Sequence, residues 1–171
     1  MPPKAGPDWL DTSTFQDTFS EWLKHVRNQK HVFLAYSSGV RPIADQVHRF
    51  LVDKLNLSVL DWHDLPASRS IMENIVKAER RTMFGVFLLT KDDTQLEKDS
   101  VQQAIPRDNV VFEAGYFAGA KGPQFDLIVH QPGAKLPSDL GGFVYLELNN
   151  GSDISSIETR IRDYFAEHFP K

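Results

Sequence analysis

Hydrophobic positions in this chain follow two rhythms that alternate along its length. Short, mainly apolar runs occur at His31 to Tyr36, Leu57 to Asp61, Met83 to Thr90, Asp126 to His130 and Phe143 to Leu148. Runs of this length, bounded by turn residues, predict strands, and the first, ending in Ser37-Ser38-Gly39, has the form of one buried on both faces. Between them the apolar residues are spaced three and four apart. Ile43, Val47, Phe50, Leu51 and Leu55 mark one helix, and Ile154, Ile157, Ile161, Tyr164 and Phe165 mark the closing one. A third is announced by Ser68 or Ser70, with Glu73 three residues after Ser70 in the pattern of a capping box. Pro106 suits the first turn of a fourth, whose face is Val110, Ala114, Phe117 and Ala118. Ahead of the first strand, Phe15, Phe19, Trp22, Leu23 and Val26 predict an amphipathic helix over Thr12 to Asn28.

Strands alternating with helices imply a parallel sheet, because right-handed crossovers place helices on its two faces. The economical arrangement is α/β: a three-layer sandwich with five parallel strands in flavodoxin-like order. Residues 1–29 are read as a lead-in and helix, and residues 30–171 as the domain. Lys91 to Pro106 is long and polar for a plain connection, which predicts a functional loop or a short extra helix.

Composition narrows the function. At 171 residues the chain suits one domain. No apolar run approaches the roughly 20 residues of a membrane span, and the start Met1-Pro2-Pro3-Lys4 lacks the apolar stretch of a secretory signal, so a cytoplasmic protein is expected. The absence of cysteine excludes thiolate chemistry and disulfides. A net charge of -4 disfavours nucleic acid as a partner. The 6 His residues show no ligand spacing, so no metal is expected. There is no P-loop, G-x-S-x-G or G-x-G-x-x-G.

In an open parallel sheet, ligands bind beyond the carboxyl ends of the strands where the strand order reverses. Here that point lies between the first and third strands. Tyr36 to Arg41, the loop Asp61 to Arg69 and the run Ile105 to Glu113 converge on it. The arginines Arg41, Arg69 and Arg107 are shaped to grip a pyrophosphate, although each could equally be a solvated helix-start residue. Tyr36, Ser37 and Ser38 form a strand-to-helix turn that offers hydroxyl and N–H groups to ribose or phosphate. Trp62, an indole in a polar loop, is placed to stack on a base, to meet a neighbouring subunit or simply to pack.

The run Arg107-Asp108-Asn109-Val110-Val111-Phe112-Glu113-Ala114-Gly115-Tyr116-Phe117-Ala118-Gly119 is the most informative. It resembles the R-x-N-V-x-F-E-x-G-x-F-x-G helix of the bacterial TIR-like nucleotide-binding family that antiviral systems fuse to cyclic-nucleotide sensors. His31 to Ser38, Arg69 to Glu73 and Leu136-Pro137-Ser138-Asp139-Leu140 with Gly142 are similar to other segments of that family, in the same order. The sequence departs from it at Tyr36-Ser37-Ser38, where many relatives carry a His-Gly pair, and at Trp62-His63. The resemblance implies a TIR fold and NAD glycohydrolase activity, with Glu113 as the catalytic carboxylate and NAD as substrate rather than cofactor. It also implies activation by self-assembly through TIR–TIR contacts, under a sensor domain or partner that binds a cyclic nucleotide.

The implied chemistry is physically reasonable. Nicotinamide leaves NAD as a neutral base, so no general acid is needed, in contrast with the two-carboxylate glycosidases. One fixed, dry carboxylate can hold ribose hydroxyls and stabilise charge growing at the anomeric carbon. Asn109, four residues before Glu113, shares its helix face and is placed to orient it. Gly115 and Gly119 form a bare stripe, expected to let the helix lie close to the sheet or a neighbouring element. Tyr116 and Phe117 are expected in the core. A nucleoside deoxyribosyltransferase-like enzyme and a non-catalytic TIR-like oligomerisation module are the rival readings.

Overall fold

Successive side chains of the first strand are buried to opposite sides, and this divides the interior in two. The computed structural model describes residues 16, 17, 19, 32–68, 70–91, 93–96, 102–136, 142–149 and 153–168. In β1 (Val32–Ala35), Val32 and Leu34 join one hydrophobic cluster while Phe33 and Ala35 join the other. All four are fully buried, as a central parallel strand requires. β2 (Val59–Asp61) and β3 (Phe84–Leu89) flank β1, and β6 (Asp126–His130) and β7 (Val144–Glu147) extend the sheet beyond β3. The order is β2-β1-β3-β6-β7 with every neighbouring pair parallel. This is the predicted flavodoxin-like arrangement, and each predicted strand is present, β6 with its predicted bounds and the others with one or both ends trimmed by one or two residues.

Two helices cover each face. α1 (Arg41–Arg49), which runs on into a π-helical turn at Phe50–Lys54, and α4 (Glu158–His168) bury Val47, Leu51, Ile161 and Phe165 against one side. α2 (Ile71–Arg81) and α3 (Asp108–Lys121) bury Ile75, Ala78, Ala114 and Phe117 against the other. The α2 cap is Ser70: its hydroxyl accepts the Glu73 N–H at 3.2 Å, and the Glu73 carboxylate accepts the Ser70 N–H at 3.0 Å. α3 is fixed by aromatic contact, since the Phe117 ring stacks on Phe33 at 5.1 Å and meets the edge of Phe87 at 5.4 Å. Pro106 precedes this helix rather than opening it, and Arg107 is its N-cap residue.

Three expectations meet a different outcome or fall elsewhere. Lys91 to Pro106, expected to be a functional loop or a short extra helix, holds no helix among its described residues. It forms an antiparallel pair, β4 (Asp93–Leu96) with β5 (Gln102–Ile105), separate from the main sheet. The glycine stripe of α3 does not face the sheet. Gly115 and Gly119 are exposed, and a Cβ at either would meet nothing within 4 Å. The predicted helix over Thr12 to Asn28 lies outside the described residues except for Gln16, Asp17 and Phe19, which are helical. Among the described residues no helix is long and apolar enough to cross a membrane.

A buried carboxyl sits at the amino end of β6. Asp126 is fully buried beside Gly85 of β3, where any side chain would strike the Phe87 ring and the Asp126 carboxyl. The Gly85 backbone faces it, yet neither carboxyl oxygen has a partner at hydrogen-bond geometry. Burial raises its pKa to about 8, with the Lys121 charge opposing.

The open environment of the α3 glycines gives a direct test of the packing. Gly115→Ala should raise unfolding stability by about 0.5–1 kcal/mol, because the helix gains propensity and no atom is displaced. Denaturant unfolding measures it, and a loss of stability would mean that this helix face is covered.

Candidate functional site

The carboxyl ends of β1 and β2 and the start of α3 meet around a cavity of about 150 Å³. β1 contributes Tyr36, Ser37 and Ser38, which follow its last residue and turn into the short helix Ser38–Val40. From β2 come Trp62 and His63, on the single turn Trp62–Asp64. α3 supplies Arg107, Asn109, Val110 and Glu113. The site therefore lies at the switch point, where β1 has β2 on one side and β3 on the other.

Glu113 is the chemical centre of this cavity. It stands in the second turn of α3 on the buried side, between Val110 and Phe117, and is only 2% exposed. Among the described residues nothing donates a hydrogen bond to its carboxyl and no cation pairs with it. Burial alone raises its pKa from 4.5 to about 8. Asn109 lines the cavity one turn earlier on the helix, but no hydrogen bond joins it to Glu113. Arg107, exposed, also lines the cavity.

The opposite wall is held by a small polar network. The Tyr36 hydroxyl donates to both Asp61 carboxylate oxygens at 3.1 Å. The same carboxylate accepts the His63 N–H at 2.8 Å, capping the turn that carries Trp62 and His63. Burial, and next the Asp61 charge, push the Tyr36 phenol well above its usual pKa, so its proton stays in place. The His63 ring lies 5.2 Å from that of Tyr36.

The structure thus brings together seven of the residues singled out from sequence: Tyr36, Ser37, Ser38, Trp62, Arg107, Asn109 and Glu113. Trp62 also packs on the hydrophobic cluster beneath α2 and α3. Arg41 is not in the lining. It opens α1, exposed, 3.9 Å from Asp45. Arg69 lies outside the described residues. His63 and Val110 line the cavity without having been singled out, and Asp61 supports it from behind. Asp61 carried a usable signal, since an Asp that ends a strand tends to cap the following turn. Two larger grooves, about 240 Å³ beside α1 and α4 and about 530 Å³ along α2, contain no buried ionisable group. Among the described residues no cluster of three His, Asp or Glu is arranged to hold a metal.

Residues 31–150 match the family model described as CAP12/Pycsar effector protein, TIR domain. The chain belongs to this TIR-domain family. It is the family that the α3 motif resembles. CD-NTase-associated protein 12 of Flavobacterium daejeonense is 39% identical over 113 residues, covering 65% of this chain and 35% of that protein. Its namesake in Sphingobacterium faecium is 29% identical over 145 residues, covering 84% and 44%. Pycsar effector protein PaPycTIR of Pseudomonas aeruginosa is 30% identical over 120 residues, covering 68% and 39%. The chain therefore spans less than half the length of these relatives. Among solved structures, the TIR domain of the Toll-related receptor TRR-2 of Hydra magnipapillata aligns with a TM-score of 0.53 at 13% identity, covering 80% of this chain and 98% of that one. That likeness places the chain within the TIR fold.

A TIR domain with a dry, unpaired glutamate should be less stable for it. A carboxyl whose folded pKa is raised favours the protonated fold, so stability is fully present below pH 4.5 and is lost as pH rises towards 8. Glu113→Gln should remove that loss. Its advantage over the wild type should widen across this window to the order of 1–3 kcal/mol, measured by denaturant unfolding at pH 5 and pH 8.

Proposed function

We propose that this domain is an NAD glycohydrolase that breaks the bond between nicotinamide and ribose. The observation that carries this reading is Glu113, a desolvated carboxyl without a counter-charge among the described residues, at a cavity of about 150 Å³. That volume is below the ~300–1,000 Å³ of pockets that enclose drug-sized ligands, and it suits one ring and its sugar rather than a whole dinucleotide. The reacting end would enter, while the phosphates lie outward past Arg107 at the rim.

Charge drives the binding in this account. The pyridinium ring supplies the cation that Glu113 lacks, so substrate entry favours the carboxylate and releases its proton. As the C1′–N bond breaks, its electron pair passes to the ring nitrogen and the base leaves neutral. Positive charge moves to the sugar, where the fixed carboxylate stabilises it in a dry site. Water then adds to C1′ and gives up a proton, yielding ADP-ribose. Asn109, beside Glu113 on the lining, is placed to share a ribose hydroxyl.

Membership of the CAP12/Pycsar effector family supports a wider reading. The domain acts as the effector of a bacterial antiviral defence system and is switched on when copies assemble through TIR–TIR contacts. A sensor domain or partner that binds a cyclic nucleotide brings them together. The names of the relatives, CD-NTase-associated and Pycsar effector, favour that setting.

Glu113→Gln should lower kcat by about 100-fold or more, the usual scale for removing one preorganised electrostatic group. Asp126→Asn alters an equally desolvated carboxyl at the far end of the sheet and should leave cleavage unchanged. In the wild type, kcat/KM should rise with pH through about 8, because it reports the free-enzyme carboxyl. The kcat profile should rise at lower pH, since bound pyridinium favours the ionised form. Chromatography of NAD and its products measures each quantity, and equal cleavage by wild type and Glu113→Gln would remove the catalytic claim.

A further inference from the structure

We propose that Asp61 is a positioning residue that clamps the Trp62–His63 turn to Tyr36 and so sets the wall against which the leaving base is held. This rests on the reading of the cavity as the NAD-cleaving site. Asp61 closes β2 in register with Leu34 of β1, two residues before Tyr36, so the clamp bridges the carboxyl ends of adjacent strands. It does not line the cavity, whereas Trp62, His63 and Tyr36 all do. One carboxylate carries out two tasks there. It accepts the His63 N–H at 2.8 Å, which fixes the start of the turn, and the Tyr36 hydroxyl at 3.1 Å, which ties that turn to a residue only 3% exposed at the end of the central strand. The turn is closed on its other side by the Leu65 N–H donating to the Trp62 carbonyl at 3.1 Å.

A loop tethered in this way presents its side chains in one arrangement, and charge-assisted hydrogen bonds are the stronger kind. Without the Asp61 carboxylate, the His63 N–H and the Tyr36 hydroxyl lose a shared acceptor, and Trp62 and His63 lose their fixed place. The wall touches the base in the ground state and the transition state alike. Its loosening should therefore raise KM and spare kcat, the reverse of the effect of changing Glu113.

The test uses Asp61→Ala, Asp61→Asn, Tyr36→Phe and the Asp61→Ala/Tyr36→Phe double variant, each assayed for NAD cleavage. Asp61→Ala should raise KM on the order of tenfold with kcat near wild type. Asp61→Asn keeps an acceptor oxygen and should restore most of the affinity. Tyr36→Phe should raise KM less than Asp61→Ala does, and adding it to Asp61→Ala should change nothing further, because both remove one link. A readout independent of turnover is acrylamide quenching of Trp62 fluorescence, with Trp9 and Trp22 replaced by Phe. Quenching should rise in Asp61→Ala and return in Asp61→Asn. A fall in kcat with unchanged KM, failure of Asp61→Asn to rescue, or equal quenching in all variants would overturn the proposal. Absence of NAD cleavage in the wild type, with the quenching difference intact, would sink the NAD-cleaving reading and leave the clamp standing.

Discussion

Keeping a carboxyl dry is the constraint around which this domain is arranged. Glu113 lies on the same side of α3 as Val110, Ala114 and Phe117, the residues that fix the helix to the sheet. Turning this face of the helix towards water would lift Phe117 from its stack on Phe33. The fold therefore holds a group that prefers solvent in a place where it is costly to ionise, and keeps it there with aromatic packing. A side chain held against its own hydration responds strongly to an arriving cation, which is the property that the proposed chemistry needs.

The sheet order supplies the opening for that ligand. β1 lies between β2 and β3, so the chain leaving it turns to one face while the chain leaving β3 turns towards the other, and a crevice remains between them. Tyr36 is the pivot of this crevice. Its ring faces the cavity, its hydroxyl is committed to Asp61, and the Trp62–His63 turn follows from that bond. The opposite wall is helical and rigid, the near wall is a capped turn, and the reactive group sits on the rigid side.

Much of this was legible in the sequence for a simple reason. Interior strands buried on both faces must be largely apolar, so β1, β3 and β6 stood out. The edge strand β7, exposed at Val144 and Glu147, was still marked by its apolar run, and helices packed on one side showed their spacing. Glu113 was found through the pattern around it, since a lone helical glutamate carries no signal of burial. What escaped were features without a hydrophobic period. The β4 and β5 pair was one, because a polar hairpin of four-residue strands is written in backbone hydrogen bonds rather than in side-chain alternation. Gly115 and Gly119 were another: spacing shows that they share a stripe but not which way it faces, and five residues beyond Val110 the helix has turned well away from the sheet. Asp61 and His63 fell within the loop expected at the site, and the cap of Asp61 on the His63 N–H is local, but the bond from Tyr36, 25 positions earlier in the chain, is encoded by no local pattern. Arg41 was singled out from its place in a converging segment and the shape of its guanidinium, and the turn of the short helix before α1 sets it outside the cavity lining.

The account stands on the ionisation of one side chain, and that can be observed directly. In protein labelled with 13C at glutamate carboxyl carbons, the resonance that disappears in Glu113→Gln should titrate near pH 8, apart from its neighbours. Adding a carbocyclic NAD analogue, cationic but not cleavable, should move that titration to lower pH. A Glu113 resonance that titrates near 4.5 in the free protein, or one unmoved by the bound cation, would contradict the claim that a dry carboxyl awaits the positive charge of its ligand.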